Sequence, residues 1–225
     1  MKTKTTILSI VFILASAFIF AQNKNSKIKC DKYANFGETE LCLPKIAGMT
    51  ECYSIPIVKK KASRLLSGRG MLVLAFYLPN QIYEKIDVLD EIPFEGFFFA
   101  YGQENMKNVK GSNKDLDKVV QVMKNSFSEI EWNLDDLTID DKLINVGKPV
   151  LLETYSPHNS ARTIVGLTYT KADDEEYIGL SIMNMMIIKE KLIMLTGYYI
   201  YKDKNSIIKA KSKNDYFVLR FLDEN

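Results

Sequence analysis

Residues 161–201 read ARTIVGLTYTKADDEEYIGLSIMNMMIIKEKLIMLTGYYIY, long β-branched and aromatic runs separated by two short charged links. Val, Ile, Thr and Tyr suit the pleated, half-buried surface of a sheet. The links KADDEE and KEK have the length and polarity of antiparallel hairpin turns. The spacing predicts strands over Ala161–Thr170, Tyr177–Ile188 and Leu192–Tyr201, with Pro149–Tyr155 leading into them through SPHNS. An antiparallel meander is the expected result.

Outward from this stretch the period changes. Lys204–Leu222 spaces Ile207, Ile208, Ala210, Tyr216, Phe217 and Phe221 as a helix does, and predicts a long C-terminal one. Ser112–Phe127 sets Leu116, Val119, Val120, Met123 and Phe127 on one side of an earlier helix. Ser112 or Asn113 is its candidate cap, with Asp115 and Asp117 in the first turn where the helix dipole favours negative charge. Met71–Pro79, MLVLAFYLP, reads as a buried strand closed by Pro79-Asn80. Phe94–Tyr101, FEGFFFAY, reads as another, ending in a turn at Gly102. Residues 53–70, with Pro56 and Gly68-Arg69-Gly70, permit a loop or a short helix. The fold class that follows is α+β: an antiparallel β-meander sheet flanked by helices, with a long C-terminal helix.

The run RTIVGLTYTKADDEEYIGLSIM and the strand-to-helix passage LIMLTGYYIYKDKNSIIKAKSKNDYFVLRFL carry a wider likeness. Through them residues from about 113 to 222 resemble the PsbP-like α/β/α sandwich family. The resemblance implies a sandwich fold and an adaptor or assembly role without bound chemistry. Fold analogy by itself assigns no function.

The chain opens with Lys2 and Lys4, then an almost unbroken apolar run from Ile7 to Phe20, then Ala21 before polar Gln22-Asn23-Lys24. This is the pattern of an export signal, residues 1–21, removed after Ala21. The run falls short of the ~20 apolar residues that span a bilayer, so an uncleaved anchor is the secondary reading. No cysteine stands at the cleavage point, so no lipoprotein attachment is expected. Residues 22–29 read as a flexible lead-in, residues 30–70 as a cysteine-containing N-terminal segment and residues 71–225 as the α+β domain. The 30 basic residues exceed the 28 acidic ones by Lys2 and Lys4, so the chain after the signal is neutral. Neutrality argues against a general nucleic-acid or anionic-membrane binder, since both need a broad positive field.

Cys30, Cys42 and Cys52 are the three cysteines, which in an exported protein suggests one disulfide and one spare thiol. A hairpin centred on Ala47 would set Cys42 across from Cys52, leaving Cys30 spare. Cys30–Cys42 and Cys30–Cys52 are the rival pairings. Three thiols without a fourth ligand make no zinc site, and no C-x-x-C suggests redox catalysis.

Other candidates for chemistry each have a plainer reading. His158, the only histidine, would serve a hydrolase with a serine and an acid such as Glu153; yet no G-x-S-x-G occurs, and Pro-His-Asn is ordinary turn chemistry. Asp173-Asp174-Glu175-Glu176 lacks the glycine and alternation of a calcium loop. Lys59-Lys60-Lys61 with Arg64 and Arg69 forms a local basic patch, read as a solvated face. Met183, Met185, Met186 and Met194 offer thioethers for Cu(I), but alternate with Ile and Leu as core residues do. Gly166, Gly179 and Gly197 lie in predicted strands, and a hairpin through KADDEE is expected to place Gly166 opposite Gly179. Such a bare patch marks close packing by another element or, as the functional alternative, a small ligand resting on the sheet together with Met183 and Met185.

The reading is therefore an exported, periplasmic or extracellular, non-catalytic binding or adaptor protein of the bacterial envelope. It calls for a protein partner, no cofactor, no nucleic acid and no membrane span after signal removal. A carrier of a small ligand or metal, with Phe97–Tyr101, Tyr198 and Tyr199 as lining, is the alternative, and a hydrolase using His158 the third.

Overall fold

The structure, a computed structural model, describes residues 30–66, 69–128, 148–172 and 175–225. The expected signal and lead-in, and Asp173-Asp174 of the acidic run, lie outside the described residues. Seven strands form one antiparallel sheet in the order β3-β4-β5-β9-β8-β7-β6. They are β3 (Met49–Glu51), β4 (Met71–Pro79), β5 (Phe97–Gln103), β6 (Val150–His158), β7 (Ala161–Ala172), β8 (Glu175–Ile188) and β9 (Lys191–Ile200). The meander is β6 to β9. It joins the second antiparallel run through β5, which pairs Phe98 with Gly197 and Phe99 with Thr196.

The strands run further into the links than expected. β6 continues to His158, so only Asn159-Ser160 turns, and β8 turns into β9 through Lys189 and Glu190, both at positive φ. Gly102 lies within β5 and makes no turn, because its bare face takes a ring from outside the sheet.

A separate hairpin, β1 (Tyr33–Phe36) and β2 (Thr39–Cys42), precedes the sheet. Its turn needs Gly37, at φ +63. There are four helices among the described residues: α1 (Pro56–Leu65), α2 (Asn80–Tyr83), α3 (Asn113–Lys124) and α4 (Lys204–Asp223). Proline at the first turn of α1 costs no hydrogen bond, which resolves residues 56–65 as helix. The Asp115 carboxylate accepts the N–H and hydroxyl of Ser112 ahead of α3, which holds it below the usual carboxylate range. Asp203 caps α4 by accepting the N–H of Ser206 at 2.8 Å. No helix of the described residues is long and apolar enough to cross a membrane.

α4 covers one face of the sheet, where Phe98 stacks on Phe217 at 3.9 Å and Tyr77 meets Phe217 edge-on. α1 and α3 cover the other, over a stack of Phe76, Phe97, Phe99 and Tyr101. Each face buries alternate residues of the same strands, which explains the nearly continuous apolar runs of β4 and β5.

One polar device sits inside the α4 layer. Asn184 and Asn214 exchange amide hydrogen bonds at 2.7 and 3.0 Å, and neither side chain meets solvent. Thr163 donates to Asn184 Oδ1 at 2.7 Å, and Asn184 also donates to the Leu195 carbonyl. Tyr155 donates to Asp215 at 2.7 Å beside them. Every member is satisfied, so the network fixes which turn of α4 faces β8. Asn214→Ala leaves the Asn184 amide short of a partner and is expected to cost about 1–3 kcal/mol in urea unfolding. Asn184→Leu combined with Asn214→Leu should cost clearly less than the two single changes added together.

Candidate binding groove

The disulfide is Cys30–Cys42, with Cα atoms 5.7 Å apart, and Cys52 is a free buried thiol. This corrects the expected Cys42–Cys52 pair. Residues 43–48 form no hairpin arm: β2 pairs with β1, which brings Tyr33 opposite Cys42 and Cys30 within reach. β3 pairs instead with β4, carrying Cys52 into the apolar layer under α1. Burial and the neighbouring Glu51 push the Cys52 thiol up to about 12.

Asp31 and Leu43, the chain neighbours of the two half-cystines, line a groove of about 630 Å³. Leu43, Pro44, Ile46, Met49, Tyr77 and Tyr216 give it an apolar lining, and Asp31, Lys32, Lys45 and Glu51 a charged rim. The rim charges are paired, Lys32 with Glu51 at 3.0 Å and Lys45 with Asp31, whose contact raises the Lys45 ammonium.

The walls are tied at several points. Leu43 N–H donates to the Lys32 carbonyl at 2.9 Å, and the Tyr77 hydroxyl donates to the Pro44 carbonyl at 3.1 Å. Asn225 fastens Cys42, which precedes the lining residue Leu43: its Oδ1 accepts from Cys42 N–H at 2.7 Å, and its Nδ2 donates to the Cys42 and Phe221 carbonyls. Asn225 is thereby bonded to both main-chain groups of a half-cystine. The groove can bury an apolar group and orient a polar one at its rim; its lining holds no histidine, cysteine or serine.

The residues singled out from sequence are not brought together. Gly166 stands opposite Ser181 and Gly179 opposite Thr168, which corrects the expected Gly166–Gly179 pairing. The β7–β8 ladder is centred between residues 173 and 174, and Gly166 lies two residues further from that centre than Gly179. Gly197 is on the other face of the sheet, since its neighbour Tyr198 pairs with Ser181 on the Gly166 side. Each bare face is occupied by a ring: a methyl carbon on Gly166 would lie 2.5 Å from Phe127, on Gly179 3.2 Å from Phe94, on Gly197 2.6 Å from Phe98.

Met185 and Met186 are fully buried on opposite faces, and Met183 packs beside Met185. His158 is exposed, with Nδ1 accepting the Ser160 N–H, while Glu153 pairs with Lys211. Lys61 leaves the basic patch to lie over the Phe94 and Phe97 rings, and burial lowers its ammonium. The groove itself escaped the sequence reading because its walls come from four separate stretches. The one local signal was Phe36-Gly37-Glu38, a turn that places β2, and with it Cys42, against Cys30.

No protein-family model matches this chain, and no curated protein matches it.

The thiolate is the reactive form of cysteine, so native Cys52 should alkylate on the order of a thousandfold more slowly than a free thiol at pH 8. Unfolding without reductant should expose a single modifiable thiol. Peptide mapping should then place the label on Cys52 and the cross-link between Cys30 and Cys42.

Proposed function

We propose that this chain is an exported, non-catalytic binding or adaptor protein of the bacterial cell envelope, periplasmic or extracellular. Its groove beside Cys30–Cys42 receives an apolar anchor from a protein partner. The export pattern of residues 1–21 supports the location, and so does the disulfide, a bond at home in oxidising compartments.

The observation that carries the binding role is the continuity of groove and helix surface. Tyr216 lines the groove, is 43% exposed, and shares the outward side of α4 with Leu219 and Ile208, exposed by 40% and 58%. A large aromatic at the edge of an apolar recess is the usual form of an interface anchor point. A small apolar ligand is the second reading, favoured by a groove volume inside the range of ligand pockets.

The test is the native mass of the protein purified from the envelope of its host, beside a Tyr216→Glu variant. The expected result is a stoichiometric second protein on the wild type that the variant loses, with unchanged thermal unfolding. Loss of such an aromatic anchor should weaken the complex by about 2 kcal/mol or more. A bound mass of a few hundred daltons lost with Tyr216→Glu would support the ligand reading instead. A partner retained by the variant, or a bare protein in both cases, would contradict the groove's role.

A further inference from the structure

A second recess lies at the turn end of the β1–β2 hairpin. It is a cleft of about 400 Å³ between that turn, residues 107–111 and the β8–β9 turn. Lys110, Lys189 and Lys191 line it, with Glu38, Glu190, Thr39 and Asn108. Lys191 is the unusual member. It is only 8% exposed, yet its ammonium donates just to the Val109 carbonyl, at 3.3 Å, among the described residues. An ammonium has three donors, so one carbonyl leaves two of them open, and the nearby Glu190 carboxylate is taken up by Lys110. Lys189 likewise rests on a carbonyl, that of Glu40 at 2.9 Å, while Lys110 takes up the Glu190 carboxylate at 2.7 Å. The lining therefore holds three ammonium groups against two carboxylates, one of them already paired.

The walls of the cleft are fixed before anything binds. Gly111 N–H donates to the Glu190 carbonyl at 2.7 Å, which ties the 107–111 loop to the β8–β9 turn. Gly37 sits so close to the loop that an added methyl carbon would be 2.5 Å from the Lys107 carbonyl oxygen. Lys189 and Glu190, both at positive φ, make the tight turn that holds Lys189 and Lys191 on either side of Glu190. The Thr39 hydroxyl and the Asn108 amide add neutral donors to the same lining.

We propose that this cleft binds a small oxyanion, a phosphate or carboxylate group, between Lys189 and Lys191. A chain that is neutral after its signal has no broad positive field, so a local site is the form anion binding takes here. Charge-assisted bonds from the two lysines supply the affinity. The site is independent of the groove and stands whether or not a partner occupies the latter.

The experiment is a titration of the full exported chain with sodium phosphate and, separately, sodium acetate, at constant ionic strength set by chloride. Amide shifts are followed by two-dimensional NMR. The expected result is saturable shifts confined to residues 37–39, 108–111 and 189–191 with at least one of the two anions. Response to phosphate alone identifies a phosphoryl ligand; response to acetate identifies a carboxylate. Lys191→Met should weaken binding by about tenfold or more. Lys110→Ala, an exposed change outside the strands, should weaken it too, because it releases the Glu190 carboxylate into the cleft. Shifts that stay linear with both anions, or that persist unchanged in either variant, would overturn the proposal.

Discussion

Four phenylalanine rings rest on four glycines, and the positions of the segments outside the sheet follow from those seats. Phe36 of the β1–β2 hairpin lies on Gly102, Phe127 beyond α3 on Gly166, Phe94 of the loop before β5 on Gly179, and Phe98 on Gly197. A glycine in a strand weakens it, having no side chain to pack and more freedom to lose on folding. A ring laid on the bare backbone replaces the missing packing and admits only one occupant. Three of the rings belong to chain outside the seven-stranded sheet, so each seat also fixes where that chain docks.

Both recesses inherit their shape from this docking. Phe36 holds the β1–β2 hairpin against β5. One end of the hairpin then presents Cys42 to Cys30 and Asn225 at the groove, and the other presents Thr39 to the lysine cleft. The disulfide, the Asn225 amide and the Tyr77–Pro44 bond fasten an arrangement that the ring has already placed. Tyr216 continues the groove lining onto the outward side of α4, where Ile208 and Leu219 are also partly exposed, which directs binding to that side.

Much of the scaffold was legible in the chain because it follows from local periodicity. The runs 161–201 declare strands by residue type, and Lys204–Leu222 declares a helix by spacing. Met71–Pro79 coincides with β4 because Pro79 ends the run where the ladder must end. Gly166, Gly179 and Gly197 were legible as places where something packs closely, whereas Gly102 read as a turn, and no partner was legible, since a ring arriving from 36 or 127 leaves no mark near 102 or 166. The disulfide was misassigned for a related reason. A hairpin centred on Ala47 favoured Cys42 with Cys52, whereas the β1–β2 register, set by Gly37, decides the pairing. The groove and the lysine cleft each draw on stretches far apart in sequence, so no single stretch announces either.

Glycine Hα chemical shifts report directly whether the rings sit on those glycines in solution. A proton beneath an aromatic face is shifted strongly upfield. Upfield Hα resonances are expected for Gly102, Gly166, Gly179 and Gly197, with nuclear Overhauser contacts to the rings of Phe36, Phe127, Phe94 and Phe98 respectively. Ordinary strand shifts at these glycines, without ring contacts, would contradict this seating.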